Sequence, residues 1–171
     1  MNMDPPRHCF VGGAADVPAF SVDSSSVDVL YSTLGGAFDA PALTCATPMS
    51  VEVRNSIIVS RAVSSDINCA AADISYSATE ILVAGTGNAA VGSFDMADAT
   101  AWFGDYNGGD FSLAPGAGNT GAATFAGIAQ WRAADLAAVP PRPADDPSVD
   151  IDGGLRPNVD GTADVAGADV P

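Results

Sequence analysis

The chain contains no lysine. Its six basic residues are all arginines, they face 21 acidic residues, and the net charge is −15 over 171 residues. A surface this negative repels phosphate, which excludes nucleic acid and an anionic membrane surface as partners. Only two of the acids are glutamates, Glu52 and Glu80. His8 is the single histidine, and with no nucleophile motif beside it a Ser-His-Asp triad is not expected. Three cysteines, Cys9, Cys45 and Cys69, make neither a disulfide framework nor a zinc signature. No stretch approaches the roughly 18 apolar residues that a bilayer span needs. Met1–Phe20 lacks the apolar run of a secretory leader, so the expectation is a cytosolic chain or a longer secreted one whose start lies upstream. Aromatic residues are few, at 7%, yet hydrophobic residues make up 47%, which supports one folded domain and excludes a disordered acidic tail.

What the chain does have is a repeat. HCFVGGAADVPAFSV (8–22) aligns with YSTLGGAFDAPALTC (31–45) without a gap. VDVLYSTL (27–34) aligns in turn with VEVRNSII (51–58), and a fourth copy begins at ISYSAT (74–79). The offsets are 23, 24 and 21 residues. Four columns result. Cys9, Ser32, Ser56 and Ser77 are small; His8, Tyr31, Asn55 and Tyr76 are flat with polar edges; Phe20, Leu43 and Ile67 are apolar; Val22, Cys45 and Cys69 are small and apolar.

Within each copy apolar residues alternate, as in Val51 and Val53 or Ile67 and Cys69, and period two means strand. Val53 and Ile58 are an odd number apart, so a corner near Asn55 and Ser56 must turn both inward. Gly35-Gly36 and Pro41 read as loop punctuation. Short strands, corners and this period predict an all-β fold, a parallel β-helix of about four coils in which like residues stack at roughly 4.8 Å. The coils occupy 1–92. Capping loops follow over 93–139, with aromatic rings plugged onto the coil end, a last strand at 110–113 and a short helix at 131–139. Residues 140–171 form a Pro/Asp-rich tail packed on the coils.

VRNSII, NGGDFSL, DIDGGLRP and DVAGAD, in that order, resemble the end of bacterial secreted right-handed β-helix proteins, specifically the choice-of-anchor Q type of C-terminal region in the pectate-lyase-like superfamily. The matching segments cover most of 50–171. APGAGNTGAA stands where the family continues with Ser-Pro-Ala-Ile-Asp-Ala-Gly, and Ala166 is extra in the closing motif. The resemblance implies a right-handed solenoid and a secreted or cell-surface location. It implies no catalytic assignment.

The candidate chemistry is sparse. His8 sits in the flat polar column, where stacking is its expected role. Cys45 and Cys69 fall on adjacent rungs close enough for a disulfide, but parallel Cβ vectors favour a buried reduced pair. Asp150-x-Asp152-Gly153 is reminiscent of a calcium loop but lacks the full ligand pattern. Asp23, Asp28, Glu52 and Asp73 are expected to stack outward, as a solvated face or as a cation site. Polysaccharide lyases of this fold need a basic residue as general base, and among the coils only Arg7, Arg54 and Arg61 are available, each a poor base. No residue is therefore assigned a catalytic, cofactor-binding or metal-binding role, and no cofactor is expected. The expected function is a non-catalytic structural or binding module, with cell-envelope or extracellular polysaccharide as partner and weak self-association through the N-terminal coil. The alternative is a carbohydrate-active enzyme using surface carboxylates, with or without calcium.

Overall fold

A computed structural model describes residues 9–61, 66–114, 118–138 and 141–170. His8, and with it Arg7, lies outside the described residues. The first copy of the repeat supplies β1 (Phe10–Gly12) and β2 (Phe20–Asp23). The second supplies β3 (Ser26–Leu30), β4 (Thr33–Gly36) and β5 (Leu43–Ala46). The third supplies β6 (Ser50–Arg54), β7 (Ile57–Ser60) and β8 (Ile67–Asn68). The fourth supplies β9 (Ala72–Ser75) and β10 (Ala78–Thr79), after which comes β11 (Ala89–Ala90).

These strands form three parallel sheets, ordered β3-β6-β9, β1-β4-β7-β10-β11 and β2-β5-β8. Each strand pairs with its equivalent one repeat on. Val29 lies opposite Val53 and Val53 opposite Ile74; Leu34 lies opposite Ile58, and Leu43 opposite Ile67. The expected all-β class holds, and the registers are those of the sequence columns. Val29, Val53, Ile74, Leu34, Ile58 and Leu43 share one buried cluster, with Val11 and Ile67 packed at its margin.

Two-residue corners join the first two sheets: Tyr31-Ser32, Asn55-Ser56 and Tyr76-Ser77. The leading residue of each is left-handed, with φ of 45°, 55° and 50°. Asn tolerates this region, but a tyrosine there is held against a cost of roughly 1–2 kcal/mol. A ladder of serines holds it. The Ser32 N–H donates to Ser56 Oγ at 3.1 Å, and the Ser56 N–H to Ser77 Oγ at 3.1 Å. Each hydroxyl donates back to the carbonyl two residues earlier, at Leu30, Arg54 and Ser75. Every rung thus satisfies a buried donor that the corner takes out of the sheet. Asn88 ends the ladder. Its Oδ1 accepts from the Ser77 N–H at 3.2 Å, and its Nδ2 donates to the Ile74 carbonyl at 2.8 Å, in the places a further repeat would fill.

The rest of the chain lies against the five-stranded sheet. It comprises α1 (Met96–Trp102), β12 (Phe103–Asp105), a 3-10 turn at Tyr106–Gly108, β13 (Asp110–Leu113), α2 (Gly121–Phe125), β14 (Ala129–Gln130) and β15 (Ala163–Asp164). Strand alternation explains the contact. Leu34 and Ile58 point into the three-sheet core, while Ile57 and Val59 point outward into a second cluster with Phe94, Trp102, Phe103, Tyr106, Phe111 and Phe125. The aromatic rings therefore cover a sheet face rather than plugging a coil end. Phe111 rests on β1 and β4, where a side chain at Gly12 or Gly35 would meet its ring. Tyr106 Oη donates to the Gly36 carbonyl at 2.7 Å.

Two sequence expectations are corrected here. Gly35-Gly36 is not a loop but part of β4, kept free of side chains by the ring above it and by Ser60. Residues 131–138 are not helical. The Arg132, Ala133 and Ala134 N–H groups go to Asp146, Asp160 and Asp145, so tertiary partners override the alanine-rich propensity. A helix forms instead at 96–102, where Asp95 and Asp98 make a reciprocal cap. The strand expected at 110–113 is present as β13, and it pairs antiparallel with β12.

Candidate functional site

The tail meets the corner column at a buried junction. Asp146 Oδ1 accepts from Arg54 Nη2 at 2.7 Å and from Arg142 Nη2 at 3.3 Å. Its Oδ2 accepts from Asn55 Nδ2 at 3.2 Å and from the Arg132 N–H at 2.9 Å. Asn55 also exchanges bonds with Gln130, Nδ2 to carbonyl and N–H to Oδ1. Burial, followed by the neighbouring Arg54 charge, lowers the Arg142 pKa. A third arginine clamps the preceding corner: the Arg156 guanidinium lies 4.1 Å from the Tyr31 ring centroid. Its Nη1 donates to Asp164 at 3.1 Å, and its Nη2 to the Gly167 carbonyl at 2.7 Å. Burial, with Asp164 and Asp146 nearby, pushes the Tyr31 phenol far up, so it stays neutral.

Asp150, the first carboxylate of the Asp150-x-Asp152-Gly153 segment, is held by backbone donors. Its Oδ1 accepts from the Asp152 and Gly154 N–H groups and its Oδ2 from the Val170 N–H. Burial pushes its pKa up, but these three donors and Arg156 outweigh it and leave the carboxyl below the usual range. Asp169 caps the Leu113 N–H at 2.7 Å; burial, opposed by that donor, raises its pKa. Thus VRNSII and GDFSL meet the two tail segments DIDGGLRP and DVAGAD around Asn55, Leu113, Asp150, Arg156 and Asp169.

The acidic stack expected from the sequence is present in part. Asp28, Glu52 and Asp73 stand in register on β3, β6 and β9. Burial, then Asp28 and Asp73, raise the Glu52 pKa. Asp23 lies apart on β2, where its carboxylate accepts from Ser24 and Thr47 hydroxyls. Among the described residues no group of three or more His, Cys, Asp or Glu converges as a metal set.

Cys45 and Cys69 form a disulfide, with Cα atoms 4.8 Å apart, which corrects the expected reduced pair. The objection of parallel Cβ vectors fails because β8 ends at Asn68, so Cys69 lies beyond the strand and its side chain is free to turn. Cys9 is free.

Among the described residues, one open concavity is a cavity of about 360 Å³ lined by Phe38, Arg61, Phe94, Asp95, Met96 and Ala97. Phe38 is 55% exposed, with the Arg61 guanidinium 5.9 Å from its ring centroid. Behind Phe94 lie two carboxyls that the sequence did not single out. Glu80 accepts from the Ser60 N–H at 2.7 Å and the Phe94 N–H at 3.5 Å. Asp66 accepts from the Glu80 N–H at 2.9 Å. Burial raises both pKa values, and the Asp66 charge raises that of Glu80 further. Phe38 stands where the first repeat has Ala15, a break in the column that marks it; Asp66 and Asp146 carry no such signal.

Comparison with known proteins adds no assignment: no family model, curated protein or solved structure matches the chain. No helix among the described residues is long and apolar enough to cross a membrane.

Proposed function

We propose that the three parallel sheets are the walls of a short right-handed parallel β-helix, and that the chain is a non-catalytic structural or binding module. We further propose that it is the C-terminal part of a secreted or cell-surface protein of the choice-of-anchor Q type. One observation carries the non-catalytic reading. Each of the five buried aspartates among the described residues, Asp66, Asp146, Asp150, Asp164 and Asp169, accepts a backbone N–H. Carboxylates held this way fix chain segments, so a structural role accounts for their burial. The Cys45–Cys69 bridge supports an oxidising compartment. The right hand follows from the general preference for right-handed crossovers between parallel strands.

The partner in this reading is an extracellular polysaccharide, with the cavity beside Phe38 and Arg61 as the contact. Among the described residues, the first strands of the sheets, β1, β2 and β3, have no neighbour on one side. Weak self-association through that edge is part of the proposal, strengthened by salt that screens the −15 charge. Affinity electrophoresis in polysaccharide gels, with reducing-end release measured alongside, tests the function. Retardation without turnover is expected. Turnover abolished by Glu80→Gln or Asp66→Asn would instead establish the enzymatic reading, which the neighbouring raised-pKa carboxyls favour.

A further inference from the structure

We propose that Asn107-Gly108 is a self-modification site, at which the folded chain converts the Asn107 side-chain amide into a carboxylate. Two contacts activate the two ends of the bond that must form. Arg61 Nη1 donates to Asn107 Oδ1 at 2.9 Å, which withdraws electron density from the amide carbonyl and makes Cγ a better electrophile. The Gly108 N–H donates to Asp105 Oδ1 at 3.0 Å, so a carboxylate already sits on the proton that the nucleophilic nitrogen must lose. Glycine at 108 leaves the nitrogen unobstructed, and Gly109, left-handed at φ 83°, follows with open space around it. Asp105, Asn107 and Gly108 are all exposed, so water reaches the site.

The chemistry balances with water as the one co-reactant. The Gly108 nitrogen attacks Asn107 Cγ, a C–N bond forms, and the proton passes to Asp105. The oxyanion develops under the Arg61 guanidinium. Its collapse breaks the Cγ–Nδ2 bond, Asp105 returns the proton to the leaving nitrogen, and ammonia departs. The cyclic imide is then hydrolysed at either carbonyl, giving an aspartyl or an isoaspartyl residue at 107. Nothing is oxidised or reduced. The new carboxylate faces Arg61, which lines the cavity, so a hydrogen bond from a cation to a neutral amide becomes an ion pair. The isoaspartyl product lengthens the backbone next to Tyr106, the residue that ties the ring cluster to Gly36.

The test incubates the full-length chain at neutral pH, folded and in urea, and follows Asn107 by peptide mass mapping and isoaspartyl methyltransferase labelling. Loss of the amide at least roughly tenfold faster in the folded chain than in urea is expected, within the range that a placed general base supplies. Asp105→Asn keeps an acceptor for the Gly108 N–H but no base, and Arg61→Gln removes the charge from Oδ1. Both should bring the folded rate down toward the unfolded one. Folded wild type no faster than unfolded, or folded variants that retain the wild-type rate, would overturn the proposal. Should a variant not fold, the folded and unfolded wild-type rates decide alone.

Discussion

The strands from Phe10 to Ala90 and the segment from Phe94 to Val170 are held together in opposite ways. The first region repeats a few contacts: a serine rung, an apolar row and a strand register, each recurring 21 to 24 residues on. The second makes each contact once, between residues that can be 91 or 135 apart, as in Asn55 with Asp146 and Thr33 with Ala168. Neither region is complete alone. Ile57 and Val59 face outward from the sheet and are covered only because the aromatic rings lie on them. Repetition builds the frame, and single-use polar contacts fasten the cover.

Breaking the junction between the two should have the largest effect. Asp146→Ala leaves Arg54, Arg142, Asn55 and the Arg132 N–H without their shared acceptor. Removing one partner of a buried ion pair costs about 3–5 kcal/mol, to be read as a fall in the urea midpoint. Next comes the staple within the repeats: Cys45→Ser should cost about 3 kcal/mol for a bridge closing a loop of 24 residues. A single rung is smaller. Ser56→Ala leaves the buried Ser32 N–H without its acceptor, at about 1–3 kcal/mol.

The smallest expected effect sharpens the comparison by its sign. Register places Glu52 between Asp28 and Asp73, so stacking of like residues here stacks like charges. Glu52→Gln should raise stability by about 0.5 kcal/mol in low salt and by less in high salt. The pH dependence follows from its raised pKa. The folded state disfavours the charged form, so the penalty is full above the folded pKa and disappears as pH falls toward the unfolded value. The gap between wild type and Glu52→Gln should therefore close on mild acidification, as chemical denaturation at several pH values would record.

Legibility in the sequence followed the same divide. The columns of Ser32/Ser56/Ser77 and Val29/Val53/Ile74 were readable because each element testifies for the next, and the corner at Asn55 followed from an odd spacing, though its left-handed backbone did not. Ile67, expected in the core, is only partly buried at the margin of the cluster, next to residues outside the description. Gly35 was misread because the reason for its missing side chain, Phe111, lies 76 positions on. The segment at 131–138 was misread because its partners are tail aspartates whose positions no local pattern encodes. Asp146 and Arg156 were illegible as anchors for the same cause. The Cys45–Cys69 bridge turned on where β8 ends, a boundary finer than periodicity resolves.

The central claim is that equivalent residues of successive repeats touch, rung on rung, through the serine ladder. Residue-resolved amide hydrogen exchange on wild type and Ser77→Ala tests it most directly. The Ser56 N–H donates to Ser77 Oγ, while the Ser32 N–H donates to Ser56 Oγ one rung away. The account predicts that Ser77→Ala strips protection from the Ser56 amide, 21 residues upstream, and leaves the Ser32 amide protected. An unchanged Ser56 amide in a folded Ser77→Ala variant would contradict the register on which the whole arrangement rests.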